Sequence, residues 1–309
     1  MLNAFIFDGL RTAFGRHAGG LASVRPDDLI GELMRVLIER SPWEADVFED
    51  AIVGCTCQAG EDSRNVARNA LLAAGLPVTL PGQTVNRLCA SGLAAIVDAA
   101  RAVTCGEGEL FVAGGVESMS RAPFVVAKAE SAYSRDFKVF DTTIGARFPN
   151  PKLVTRHGND TMPETGDNVA RDFGITREQS DRFAARSQAR FERARQDGFF
   201  AGEIHPISVP TGRKTPPRVV DADEHPRPDT SFDSLAALKP LAEGGVVTAG
   251  SASGINDGAA AVIVGSQAAG QRAGAQPMAR VLAAAVAGVE PRIMGIGPAR
   301  AIPKALQRA

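Results

Sequence analysis

"GQTVNRLCASGLAAIVDAARAVTCGEGELFVAGG" (82–115) changes character twice. Residues 82–86 predict a short strand, 89–105 a long helix rich in Ala, Leu and Ile, and 109–115 a second strand ending in a glycine pair. A strand, a helix and a strand in succession are the repeating unit of an α/β sheet. Cys89 falls at the turn between the first strand and the helix.

The same alternation extends towards the N-terminus. "AFIFD" (4–8) predicts a buried strand, and "PDDLIGELMRVLIER" (26–40) a helix with Pro26 at its start, acids in its first turn and apolar residues at helical spacing. "AIVGC" (51–55) predicts a strand and "RNVARNALLAAG" (64–75) a helix closed by Gly75. Helices on both faces of one α/β sheet are the expected architecture.

From residue 121 to 243 the strand signal fades and prolines and charges crowd "TPPRVVDADEHPRPDTS" (215–231). One helix stands out, "TREQSDRFAARSQARFERARQDG" (176–198), with Thr176 and Gln179 as a capping box, Phe183, Ser187 and Phe191 on one face, and Gly198 at its end. This segment is expected to be an inserted, loop-rich domain. "NDGAAAVIVGS" (256–266) then returns as a strand of the first sheet. The division expected is 1–120 with 244–270 as one domain, 121–243 as the insertion, and 271–309 as the start of another. In that last part "ARVLAAAVAG" (279–288) predicts a strand and "GPARAIPKALQRA" (297–309) a helix, and the sheet they would begin is expected to be truncated.

Composition narrows the function. Lys plus Arg number 34 against 35 Asp plus Glu, a net charge of −1, so no basic field invites nucleic acid or an anionic membrane. Asp8 interrupts the N-terminal apolar run, which excludes a signal-peptide core, and no stretch of about 18 apolar residues is free of charge, so no membrane span is expected. Four cysteines in 309 residues without a disulfide-rich pattern suit a reducing cytoplasm.

Several motifs carry no chemistry. "TGRKT" (211–215) lacks the upstream glycine of a phosphate-binding loop, and "GIGPAR" (295–300) ends in Arg300 and contains Pro298, so it is no dinucleotide turn. No G-x-S-x-G elbow occurs. His17, His157, His205 and His225 lie far apart without metal-ligand spacing, and Cys55 and Cys57 are too close and too few for a zinc site. Cys105 closes a helix. Cys89 differs, because free N–H groups and the helix dipole favour an anion there, and Ala90, Ser91 and Gly92 leave room for a substrate. The residues alone leave two readings of Cys89 open, a nucleophile and a small buried apolar residue.

"NRLCASG" (86–92), "AGGVESMSRAPF" (113–124) and "TAGSASGINDGAAA" (248–261) together resemble the thiolase family, in that family's order and spacing, and the likeness runs from residue 1 to 309. "CQAGEDSRNVARNALLAAGLP" (57–77) and "KAESAYSRDFKVFDTTIG" (128–145) most resemble the branch that cleaves 3-oxoadipyl-CoA and also acts as acetyl-CoA acetyltransferases. The resemblance implies a thiolase-like fold, Cys89 as nucleophile, no metal and no cofactor, with CoA and acyl-CoA as substrates. It further implies that Arg227 lies near the nucleotide end of CoA. Ser234 and Ser253 would contact its adenine or pantetheine, and Met162 and Ala249 would line the tunnel. It also implies a homodimer or homotetramer. Lys128, Arg135, Lys138 and Arg147 are the candidates to meet a substrate's terminal carboxylate.

The sequence departs from the family in lacking an N-E-A-F segment, a G-H-P histidine and a C-x-G cysteine. A truncated, inactive CoA-binding thiolase fragment is therefore an alternative expectation. A condensing enzyme of the same fold acting on carrier proteins is another, disfavoured by the presence of 121–243.

Overall fold

The computed structural model describes every residue except Ala146 and Arg213, so part of the "TGRKT" run and of the 128–147 loop lies outside the described residues. In chain order the first elements are β1 (Ala4–Arg11), β2 (Gly15–Arg16), α1 (Pro26–Glu39), β3 (Asp50–Gly54), α2 (Val66–Ala73), β4 (Gly82–Val85), α3 (Ser91–Cys105) and β5 (Leu110–Ser118). The middle contributes β6 (Phe124–Val126), β7 (Val139–Asp141), α4 (Pro151–His157), α5 (Met162–Phe173), α6 (Arg177–Gln196), β8 (Ile207–Val209), β9 (Arg218–Val220) and α7 (Phe232–Ala236). The chain closes with β10 (Asn256–Gly265), α8 (Gln267–Ala273), β11 (Ala279–Val281) and α9 (Gly297–Arg308).

A seven-stranded mixed sheet runs in the order β11-β1-β10-β5-β3-β4, with β2 paired to β10. β5, β3 and β4 are parallel, while β10 is antiparallel to both β5 and β1. Alternation along β3 decides what each face packs against. Ala51 and Val53 join α1 and α2 in one core with Leu29, Ile30, Leu33 and Leu37, while Ile52 points the other way, onto Ala95, Ala99 and Val103 of α3. Helices therefore cover both faces, as the strand-helix alternation predicts.

α3 lies in a window, Leu88–Cys105, whose mean hydropathy of 1.5 would suit a membrane span by length and composition. The window also contains Asp98 and Arg101, which pair at 2.8 Å, and its small residues seat α3 on the sheet as a core helix.

Glycines set where α3 begins. A Cβ on Gly54, the last residue of β3, would lie 2.2 Å from the Ser91 carbonyl carbon. Gly115, its register partner on β5, would place one 3.1 Å from the Gly92 Cα. The first turn of α3 thus rests on the carboxyl ends of β3 and β5, backbone against backbone.

Two segments differ from the sequence expectation. The 121–243 segment holds more helix than its composition predicts. α5 is built on Thr161 and Glu164 as a capping box with Pro163 beside it, signals of the same kind as those that mark α6. In α6 the expected apolar face is largely outside, with Phe183 exposed under Arg186, and the buried residue is Asp181, held by Arg177. At the far end, 279–288 yields only three strand residues, and these join the first sheet. β11 pairs with β1 over Ala4–Ile6, where β1 itself begins, so the later residues find no partner strand among the described residues. The following turn packs on α5 instead, through Asn168 Nδ2 donating to the Arg292 carbonyl at 3.0 Å and an Arg292–Asp172 pair at 2.6 Å.

Because neither Ser91 nor Gly92 can retreat from β3 without lifting α3, Gly54→Ala is expected to destabilise the fold by about 1–3 kcal/mol. Urea unfolding measures it, and an unchanged midpoint would show that α3 can shift off the strand.

Candidate active site

Cys89 sits between the end of β4 and the start of α3, and its side chain is exposed. Its turn is held from several sides. Leu88 adopts a left-handed backbone, φ +49°, which costs a non-glycine residue about 1–2 kcal/mol and has to be stabilised by its neighbours. The Leu88 carbonyl accepts from Ser91 Oγ at 2.6 Å, from Ser91 N–H at 2.9 Å and from Thr56 Oγ1 at 3.0 Å. Its N–H donates to Asn86 Oδ1 at 2.9 Å, and Asn86 Nδ2 in turn donates to the Thr56 carbonyl at 3.2 Å. Ser91 is buried and also accepts from Arg87 N–H at 2.7 Å. These bonds present Cys89 to solvent beside the first turn of a 15-residue helix, whose dipole favours an anion. No side chain among the described residues hydrogen-bonds its Sγ.

Beneath this turn lies a buried acidic pocket. Glu117 accepts from the N–H groups of Thr56 and Cys57, both at 2.9 Å. Asp62 accepts from Gln58 N–H at 3.1 Å and Gly60 N–H at 3.0 Å. Cys55 Sγ points at Asp62 Oδ2, 3.5 Å away. Burial first, and then the Glu117 and Asp62 charges, push the Cys55 thiol far up, while burial raises the Glu117 carboxyl. Cys55, Asp62 and Glu117 bring possible metal-ligand atoms within 4.8 Å of one another. Their carboxylate oxygens are already occupied by backbone N–H groups, and a thiol so raised is neutral, so the cluster has the chemistry of a hydrogen-bonded support.

Thr56, Asn86 and Glu117, which hold Cys89, carry no motif of their own in the sequence, and Ser91, expected to leave room for a substrate, is instead buried and bonded to Leu88. The available signal was Glu117 itself, an acid directly after the apolar run "LFVAGGV". Other motif residues prove structural. Asp257 is fully buried and accepts from Ser120 N–H at 2.9 Å and Ser120 Oγ at 2.6 Å, tying β10 to the end of β5. Arg121 binds Glu61 at 2.6 Å and holds that carboxyl below the usual carboxylate range, joining the 57–64 loop to the same place.

The residues expected at CoA belong to segments that a few contacts tie together. Asp167 of α5, the helix that begins at Met162, accepts from Val246 and Val247 N–H at 2.7 and 2.9 Å. Gly250 packs on Leu235 of α7, adjacent to Ser234, and Gly254 packs on His225, two residues from Arg227. Arg227, Ser234, Ala249, Ser253 and Met162 are all exposed. The Ser234 hydroxyl caps α7, accepting from Ser231 N–H at 3.0 Å, and Arg227 N–H donates to Gln188 Oε1 of α6 at 2.8 Å. The last of these segments leads into β10, whose start lies against the end of β5.

Of the four loop cations, Lys128, Arg135 and Lys138 are exposed, and Lys138 pairs with Asp136 at 3.2 Å. Arg147 is half-buried. Its Nη2 donates to the Cys57 carbonyl at 3.2 Å and lies 3.2 Å from Cys57 Sγ.

Residues 4–268 match the thiolase N-terminal domain. The chain belongs to the thiolase family. This thiolase is 54% identical over 98% of its length to the beta-ketoadipyl-CoA thiolase of Pseudomonas aeruginosa, covering 76% of that protein. It is 52% identical over its whole length to the 3-oxoadipyl-CoA/3-oxo-5,6-dehydrosuberyl-CoA thiolase of Escherichia coli K12, covering 77% of it. Among solved structures, the Bacillus anthracis acetyl-CoA acetyltransferase matches with a TM-score of 0.90 at 36% identity, over 100% of this chain and 76% of that one.

The four thiols are expected to alkylate in a fixed order. Brief iodoacetamide treatment of the folded thiolase followed by mass spectrometry should label Cys89 first. Cys105, also exposed but at the opposite end of α3, should follow, then half-buried Cys57, and buried Cys55 should come last. Equal labelling of Cys89 and Cys105 would remove the helix end as a source of reactivity.

Proposed function

We propose that this thiolase is an acyltransferase that cleaves 3-oxoadipyl-CoA with CoA to acetyl-CoA and a shortened, four-carbon acyl-CoA, or runs the reverse condensation, through an acyl-cysteine. The observation that carries the chemistry is the exposed Cys89 on its braced turn at the start of α3. The substrate rests on identity above half to relatives named for beta-ketoadipyl-CoA.

The Cys89 thiolate attacks the C3 ketone, forming an S–C bond. The C2–C3 bond then breaks, its electron pair passes to C2 as the enolate of acetyl-CoA, and C2 gains a proton, in the net balance the one that the second CoA thiol gives up on becoming a thiolate. Attack on the resulting thioester by the thiolate of a second CoA returns Cys89. Sulfur suits both halves, being nucleophilic near neutral pH and a ready leaving group. The first-turn N–H groups of α3 lie beside Cys89 and suit the oxyanion that forms on the carbonyl. CoA would lie along the surface of Arg227, Ser234, Ala249, Ser253 and Met162, with Arg227 towards its nucleotide. No cofactor is required, because every bond made or broken lies within Cys89 and the two CoA thioesters. Division into 1–120 with 244–270, an inserted 121–243 and a further part from 271 fits these roles, the nucleophile belonging to the first and most of the CoA surface to the second.

Arg147 is the strongest of the four cations for the substrate's terminal carboxylate. It is anchored on Cys57, next to the Thr56 that holds the Leu88 carbonyl, and its Nε and Nη1 donors have no carboxylate partner among the described residues. A cytoplasmic location accords with four free cysteines. A homodimer or homotetramer accords with β4 at an open sheet edge and with exposed Phe124, Tyr133 and Phe137 around the β6–β7 hairpin. Sedimentation equilibrium should therefore give the mass of two or four chains, and a monomer at micromolar concentration would contradict it.

Steady-state assays test the reaction. Cys89→Ser should abolish acyl transfer, since an alkoxide forms far less readily than a thiolate at neutral pH, while leaving CoA binding intact. A charge-assisted contact contributes roughly 1.5–3 kcal/mol, so Arg147→Ala should lower kcat/KM for 3-oxoadipyl-CoA relative to acetoacetyl-CoA on the order of tenfold or more. An unchanged ratio would take Arg147 out of carboxylate recognition, and turnover of acetoacetyl-CoA without turnover of 3-oxoadipyl-CoA would overturn the substrate itself.

A further inference from the structure

Glu117 plays no part in the acyl-transfer steps above, yet it is the charged group placed most directly beneath them. Its two oxygens take two consecutive backbone N–H groups, those of Thr56 and Cys57, each at 2.9 Å. A carboxylate bound in this way fixes both peptide planes, because moving either residue breaks a charge-assisted bond in a buried site. Thr56 then reaches the nucleophile turn by two routes. Its hydroxyl donates to the Leu88 carbonyl at 3.0 Å, and its carbonyl accepts from Asn86 Nδ2 at 3.2 Å, whose own Oδ1 accepts the Leu88 N–H at 2.9 Å. Leu88 is thereby gripped at both its N–H and its C=O, and it is the residue in the left-handed conformation immediately before Cys89.

We propose that Glu117 is a positioning residue for Cys89, acting through Thr56 to hold Leu88 in its left-handed conformation and so aim the thiol at the substrate. The proposal rests on Cys89 being the nucleophile of the proposed reaction. Two features separate it from a general packing role. Ser91 also holds the Leu88 carbonyl, so loss of the Thr56 bond should misdirect the turn without unfolding it. The bond pattern also requires two acceptors at position 117, which a carboxylate has and an amide lacks, since the amide nitrogen would face a backbone N–H.

The test compares Glu117→Gln, Thr56→Val, Thr56→Ser and the Glu117→Gln/Thr56→Val double variant in the full chain. Iodoacetamide alkylation of Cys89 is read against Cys105 of the same molecule, beside kcat and KM for CoA. Glu117→Gln and Thr56→Val should each slow Cys89 alkylation and lower kcat on the order of tenfold to a hundredfold. Cys105 alkylation and the KM for CoA should stay as they were. Thr56→Ser, which keeps the hydroxyl, should restore the wild-type rate. The double variant should be no slower than the worse single, because both changes cut one strut. A folded Thr56→Val that alkylates at the wild-type rate overturns the proposal, as does additivity in the double variant. If Glu117→Gln does not fold, the Thr56→Val and Thr56→Ser pair decides it. Failure of unmodified Cys89 to take an acetyl group from acetyl-CoA would overturn the acyltransferase reading, and the alkylation comparison would still decide the strut.

Discussion

The first turn of α3 can reach the ends of β3 and β5 because no side chain stands between them. Gly54 and Gly115 are register partners on neighbouring strands, and Gly92 comes down onto them from above. Three backbones meet there at distances a single methyl group would forbid. The contact fixes the helix end relative to the sheet, and with it the place of the residue just ahead of the helix. It also sets a polar problem, because so much backbone converges where side chains cannot cover it and its N–H and C=O groups need partners. Glu117, Asp62, Thr56, Asn86 and Ser91 supply them. The support of the Cys89 turn is thus the hydrogen-bonding consequence of a steric choice made by glycines.

The inserted 121–243 segment is assembled by different means. It has little continuous apolar core, and Asp181 is the buried residue of its longest helix. Arg177 pairs with Asp181 at 2.8 Å and donates to the Leu235 and Leu238 carbonyls at 2.7 and 2.8 Å, closing the end of α7 against α6. Asp167 plays the matching part at α5 by accepting two N–H groups of the 245–247 segment. Buried charges used in this way set geometry more than they add stability, since desolvation offsets much of their attraction. A segment tied by single charged residues keeps its outer side chains free.

The alternation of strand and helix through 4–115 determined the sheet with helices on both faces, since period and length are local properties that each segment carries alone. Cys89 was legible for the same reason, lying where a strand signal gives way to a helix signal between small residues, and the three motifs around it identified the family. What the sequence left open was decided by contacts between distant residues. Phe183 sits at a proper helical spacing for burial but meets no core, and Asp181 does. Residues 282–288 are apolar enough for a strand but pair with no strand among the described residues, because β1 begins at Ala4. The brace joins residues 56, 86, 88 and 117, which approach one another only once β3, β4 and β5 lie side by side. A hydrogen bond depends on positions to a few tenths of an ångström. Composition and spacing decide which elements form, whereas the folded sheet alone decides which carboxylate lies under which turn.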